Sequence, residues 1–164
     1  IDNFSAFLTA SPAVGSWHPQ LTVGVQKQWA KIEHNGETLQ MDTPLFFCTL
    51  NNGIQLPYHW TLSTDINFQS KGDYQNIYMY QNVFMMNATL TKSFLNEHLS
   101  IHLQGIDLTH GRKDGNRIYN KHMNMDVANV SDSRELRFTI RYKFNTAKSK
   151  YKGKGAATEE IKRL

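Results

Sequence analysis

The 164-residue chain has one cysteine, four prolines and no apolar stretch approaching the ~18–20 residues of a membrane-crossing helix. A single thiol excludes an internal disulfide framework, and no Cys/His spacing matches a zinc site. No segment of ordinary length repeats apolar residues at helical spacing, so long helices are not expected. No nucleophile elbow, phosphate-binding loop or paired-carboxylate motif occurs, so no catalytic set is expected, and no cofactor or metal either. No secretory leader is visible and residue 1 is Ile1, which leads us to expect that the natural chain starts further upstream.

The formal charge of +4 is unevenly placed. Residues 134–164 carry a net +7 and residues 1–133 a net −3. Nucleic-acid binding needs a basic face on the folded body, so no nucleic-acid partner is expected. The excess reads as a flexible basic tail over 145–164, attached to a structured unit over 1–144.

What the chain does have is alternation with a period of two. Leu136, Phe138, Ile140, Tyr142 and Phe144 alternate with Arg137, Thr139, Arg141 and Lys143. That is a strand with one apolar and one wet face. The same holds for Leu21, Val23, Val25 and Trp29, and for Phe46, Cys48, Leu50, Ile54 and Leu56. It holds again for Trp60, Leu62, Ile66 and Phe68, for Phe84, Met86, Ala88, Leu90 and Phe94, and for Leu99, Ile101 and Leu103. Phe4, Ala6, Leu8 and Ala10 add one more, so seven strands are expected, starting near Asn3, Gln20, Leu45, Trp60, Val83, Leu99 and Arg134.

Short connections (12–19, 57–59, 95–98) alternate with long polar ones (33–43, 70–82 and about 109–133). Short turns at one end and long loops at the other predict an all-β, antiparallel up-and-down meander. A hairpin over 117–126 and 129–134 is expected to prolong the last two strands, and Asp107-Leu-Thr-His-Gly111 reads as a short kink or helical turn after a strand.

A soluble small-ligand barrel and a transmembrane barrel both build such meanders. Three features favour the membrane. The strands match the ~9–11 residues needed to cross a bilayer at a tilt. Trp17, Tyr58, Trp60, Phe94 and Phe144 gather at the short-turn end, as an interfacial girdle would. The wet faces carry Asn87, Thr89, Thr91, Gln104, Arg137 and Arg141, which suit a polar lumen. An odd strand count also predicts further strands upstream, because seven alone leave two unpaired edges.

At Leu45-Phe-Phe-Cys-Thr-Leu-Asn-Asn-Gly53, from Trp60-Thr-Leu through Asn67-Phe-Gln-Ser-Lys-Gly-Asp73 and at Thr91-Lys-Ser-Phe-Leu-Asn96, the sequence resembles the C-terminal part of Bacteroidetes-type outer-membrane β-barrel proteins of the TonB-dependent receptor class. The run from Asp132 to Asn145, with Lys148-Ser-Lys-Tyr-Lys-Gly-Lys-Gly155, is the most specific part of that resemblance, and Gln104-Gly-Ile-Asp-Leu108 is similar to its strand-then-kink element. The resemblance implies a large plugged barrel that imports a nutrient, with contact to TonB through an N-terminal part. It also implies that the barrel assembly machinery reads the last strand through Leu136, Phe138, Ile140, Tyr142 and Phe144. Other expected partners are outer-membrane lipid and a surface lipoprotein, with the tail in the periplasm. A passive or structural barrel is the alternative. Tyr74, Tyr78, Tyr80 and Tyr119 are the loop aromatics expected to meet a ligand. The seven histidines, including the pair His98 and His102 and the loop residues His34 and His110, read as scattered, Cys48 as packed or lipid-facing, and Asp65 and Asp107 as isolated.

Overall fold

The computed structural model describes residues 2–130 and 132–144, without the side chains of 113, 114, 129 and 130. The expected tail over 145–164 lies outside the described residues. The regular elements described are all strands: β1 (Asp2–Ala10), β2 (Trp17–His34), β3 (Glu37–Met41), β4 (Leu45–Leu56), β5 (Trp60–Gln69), β6 (Gly72–Tyr74), β7 (Ile77–Met79), β8 (Val83–Phe94), β9 (Leu99–Ile106), β10 (Lys113–Tyr119), β11 (Asn124–Val130) and β12 (Glu135–Tyr142).

β1, β2, β4, β5, β8, β9 and β12 pair in that order, each antiparallel to the next. This is the expected seven-strand meander. Registers such as Leu21↔Leu50, Leu50↔Ile66 and Ile66↔Met86 keep apolar residues opposite apolar residues from strand to strand. Opposed residues share a face, so the alternation legible in each strand adds up to one continuous apolar sheet face.

That face is bare. On interior strands Phe46 is 51% exposed, Phe84 46% and Leu103 43%. No second layer covers it among the described residues. The buried apolar side chains are Ala30, Met41 and Leu45, and they sit on the opposite, polar side, where the long connections fold over. A soluble sheet would bury its apolar face first, because that is the dominant gain in folding. Here the face is left for a non-aqueous solvent.

The long connections carry more structure than expected. β2 continues past Gln26, its last residue with a partner in β4, to His34, and the chain returns as β3. β6, β7, β10 and β11 form a second sheet in the order β11-β10-β7-β6. The hairpin expected to prolong the last two strands is therefore displaced. β10 and β11 pair from Lys113↔Val130 to Tyr119↔Asn124, and β10 joins β7 rather than the main sheet. The cause is the bend at Asp107 (φ 47°). It lays the chain along β8, with Leu108 N donating to Met86 O (2.8 Å) and Thr109 Oγ1 to Phe84 O (2.9 Å). Gly111 comes so close that a Cβ there would stand 1.5 Å from Phe84 O.

Candidate functional site: the polar face and the cap over its long-loop end

The polar face is built in rows by the strand registers. Thr89, Gln104 and Arg137 lie side by side on β8, β9 and β12. Thr91 sits opposite His102, and Arg141 opposite Ser100. Asn87 sits opposite Asp65. All six residues expected on the wet side therefore share one face. Some of their groups are spent on neighbours. His102 is hydrogen-bonded through both ring nitrogens, Nδ1 with Thr91 Oγ1 (3.0 Å) and Nε2 with Ser100 Oγ (2.9 Å). Arg137 holds Glu135 through two hydrogen bonds of 3.0 Å, and Asn87 Oδ1 accepts from Asp107 N (2.9 Å).

On the opposite face, aromatic residues mark two levels. Trp17, Trp60, Phe94, Tyr142 and Phe144 lie at the short-turn end, with Tyr58 in the adjoining turn. Leu136, Phe138, Ile140 and Tyr142 of β12, and Phe144 two residues past the end of that strand, are all exposed. Phe4, Trp29, Phe46, Phe68 and Phe84 mark the other level, which sequence reasoning did not single out. From Trp60 to Phe68 is about 27 Å along a strand, or about 20 Å along a bilayer normal at a tilt near 40°. Each level carries a lysine on an aromatic ring: Lys92 Nζ lies 5.1 Å from the Trp60 ring centre and 5.4 Å from that of Phe94, and Lys27 Nζ lies 5.2 Å from that of Trp29. Lysines at such heights keep the stem in the apolar layer and the ammonium at its edge.

Between those levels the apolar face carries no charged residue. Its polar interruption is Asn52, opposite Thr64. Asn52 Nδ2 donates to Thr64 Oγ1 (3.0 Å), and Trp17 Nε1 donates to Asn52 Oδ1 (3.3 Å). The amide is thus satisfied within the sheet, as a hydrocarbon surrounding requires. Cys48 lies on the same face, opposite Val23 and Phe68.

At the long-loop end, β3, β6, β7, β10 and β11 form a cap on the polar side. It is fastened at three places. Buried Gln28 grips the β6–β7 turn, donating to Gln75 O (2.8 Å) and accepting from Gln75 N (2.6 Å). Buried Asp73 accepts from Thr43 N (2.8 Å) through Oδ2. The tips of the β2–β3 and β10–β11 hairpins meet: His34 Nδ1 contacts Asn120 O (2.7 Å), the His34 ring stands edge-on to Tyr119, and Lys121 pairs with Glu33 at 3.3 Å. Arg117 and Asp126 form a two-point pair across the β10–β11 hairpin (2.5 and 2.9 Å). The Arg117 hydrogen bond, aided by its charge, holds the Asp126 carboxyl below the ordinary carboxylate range.

Asp107 is the hub that sequence reasoning missed. It is fully buried, accepts from Gly111 N (2.8 Å), Arg112 N (3.3 Å) and the Ser133 hydroxyl, and so ties the entry of the cap to the start of β12. The available signal was an Asp directly after a strand and four residues before a glycine, a side-chain-to-backbone turn in sequence form.

The four loop tyrosines are dispersed. Tyr80 packs its ring on Gly115, Tyr119 belongs to the hairpin clasp, Tyr78 pairs with Arg117 in the β7–β10 ladder, and Tyr74 lines a cleft. That cleft, of about 650 Å³, lies between the polar face of β1 and β2 and the β6–β7 turn. A second one, of about 300 Å³, lies under β10 and is lined by Gln69, Met79 and Asn116. Among the described residues no group of three metal-capable side chains converges. The histidines lie apart, with His98 in a turn, His102 on the polar face, His34 at a hairpin tip and His110 in the bend after β9.

No curated protein and no solved structure matches the chain. The family model described as the outer membrane protein beta-barrel family matches residues 3–142, a range that covers all seven strands of the main sheet. Together with the bare apolar face, this places the chain in that family: it belongs to the β-barrel proteins of the outer membrane.

Proposed function

We propose that this chain forms about seven strands of the C-terminal barrel wall of a TonB-dependent receptor that imports a nutrient across the outer membrane. The observation that carries the reading is the cap. A barrel meant only as a hole would leave its mouth open. Here a second sheet is fastened over the polar face by Gln28, Asp73 and the His34–Asn120 clasp, and it leaves uncharged clefts at the entrance. The free sides of β1 and β12 pair with no described strand, and a bilayer penalises open edges. Further strands then complete the wall.

In this reading Asn87, Thr89, Thr91, Gln104, Arg137 and Arg141 line the lumen, and the even-numbered residues of β12 face lipid. Trp17, Tyr58, Trp60 and Phe94 form the girdle at the periplasmic side, where the tail over 145–164 also lies. The assembly machinery recognises β12 as a strand that can add to a sheet edge through main-chain hydrogen bonds. TonB engages a part N-terminal to this wall, a surface lipoprotein covers the long-loop end, and the chain performs no chemistry and needs no cofactor. The polar rows would equally suit a passive barrel, which is the second reading.

Liposome swelling separates the two. Full-length protein is reconstituted into vesicles and exposed to a raffinose gradient, while formaldehyde cross-linking in cells asks whether TonB is a neighbour. The receptor reading expects no swelling and a TonB adduct. Rapid swelling with no adduct favours the passive barrel and overturns it.

A further inference from the structure

We infer that the cleft between β1, β2 and the β6–β7 turn is a binding site for a neutral saccharide. The inference rests on the import reading only for its purpose, since binding is measurable without transport.

The first observation is the absence of charge. Asn3, Ser5, Gln26 and Gln28 line one wall, and Tyr74, Gln75 and Asn76 the other. The ion pairs of the cap lie elsewhere, Arg117 with Asp126 and Lys121 with Glu33. An ionic ligand entering this cleft would lose hydration and meet no counter-charge.

The second is unspent hydrogen-bonding capacity. Among the described residues the side-chain amides of Asn3, Gln26 and Gln75 bond to no protein group, whereas Gln28 and Asn76 are engaged. A carboxamide presents a donor and an acceptor side by side. Vicinal hydroxyls need that same pairing, because each donates and accepts. Tyr74, 39% exposed, offers a ring face for the C–H side of a pyranose.

The third is rigidity. The two Gln28–Gln75 hydrogen bonds (2.8 and 2.6 Å) fix the turn. Asn76 Nδ2 to Tyr119 O (2.8 Å) and Tyr119 N to Asn76 O (2.9 Å) then lock it to β10. A site held open before the ligand arrives loses less entropy on binding. Its volume of about 650 Å³ falls within the roughly 300–1,000 Å³ of small-molecule sites. An extended peptide fits less well, because it recognises an unpaired strand edge through main-chain bonds, and the wall here is a sheet face.

The test uses full-length protein in detergent and saturation-transfer NMR. The probes are maltotriose, cellotriose, N-acetylchitotriose, an end-blocked trialanine and citrate. The inference expects at least one trisaccharide to bind, no competition from citrate, and an affinity roughly 3- to 10-fold weaker in Tyr74→Ala and in Gln26→Leu. His98→Ala, in the β8–β9 turn at the opposite end of the strands, should bind as the wild type does. Binding of no trisaccharide overturns the inference, as does trialanine binding that the same two variants weaken, or saccharide binding that neither variant alters. Loss of TonB-dependent uptake with binding intact would count against the import reading alone.

Discussion

Replacing Ala88 by Arg puts a charge where the apolar face is furthest from water. Ala88 lies opposite Thr64 and Gly105, midway between the Trp60 and Phe68 levels. Lys92 lies four positions further on, about 13 Å along the strand and about 10 Å along the bilayer normal at a tilt near 40°. That is farther than an Arg side chain can carry its guanidinium to the interface. The cost of Arg at the midplane of a barrel's lipid face is about 2–4 kcal/mol, falling to about 0–1 near the interface. Thr89, the next residue, points to the polar face between Ser63 and Gln104. Arg there should change stability by no more than about 0.5 kcal/mol, as a wet surface substitution does. Guanidinium unfolding of the full-length protein in phospholipid vesicles, read by tryptophan fluorescence, measures both. If Thr89→Arg costs as much as Ala88→Arg, the assignment of faces is refuted.

Asn52→Leu alone should cost about 1–2 kcal/mol in the same assay, because it strips the Trp17 N–H and the Thr64 hydroxyl of their partner; adding Thr64→Val should recover part of that loss, since two apolar groups leave fewer polar atoms unpaired. Asp107→Ala should lose about 1–3 kcal/mol for each buried donor it orphans, and Gly111→Ala a comparable amount by overpacking against Phe84 O; in both, hydrogen exchange at the base of the cap should rise before the main sheet opens. Asp126 titrates at a lower pH in the folded hairpin than in the unfolded chain, because Arg117 bonds its ionised form. The pair's contribution is therefore complete above the unfolded value of about 3.9 and fades as pH falls through the lower folded value. Pepsin cleavage at the β10–β11 turn should accordingly increase between pH 4.5 and 2.5 in the wild type, while Asp126→Asn should show no such acid step.

The main sheet was legible because its pattern is redundant. In β12 and β8 each apolar residue predicts the face of the residue two further on, and matched registers repeat the pattern in the neighbouring strand. The cap was not legible, for an equally physical reason. β6 and β7 are three-residue strands, too short to show any period. β10 and β11 mix Gly115, Asn116 and Arg117 with Met125, Asp126 and Ala128, and the described residues of β11 are exposed on both sides, so no apolar face marks the strand. Lys92 and Asn52 interrupt the apolar alternation, and their partners show why they are tolerated: two rings for one, a threonine and an indole for the other. Among the candidate ligand residues, tyrosine in a loop was too coarse a criterion. Tyr74 reached a cleft, while Tyr80 and Tyr119 went into holding the cap together. The carboxamides of Asn3 and Gln26 stand on strands whose polar side looked ordinary until the β6–β7 turn was brought against it.

The most direct test of the central claim, that hydrocarbon bathes the apolar face and water the polar one, is a nitroxide scan of β8. In a Cys48→Ser background of the full-length protein in bilayers, single spin labels are placed from 85 to 91. Collision with oxygen, which concentrates in lipid, should peak at 86, 88 and 90, and collision with a water-soluble nickel chelate at 85, 87, 89 and 91. Oxygen maxima at the odd positions, or low accessibility to both reagents at the even ones, would contradict it.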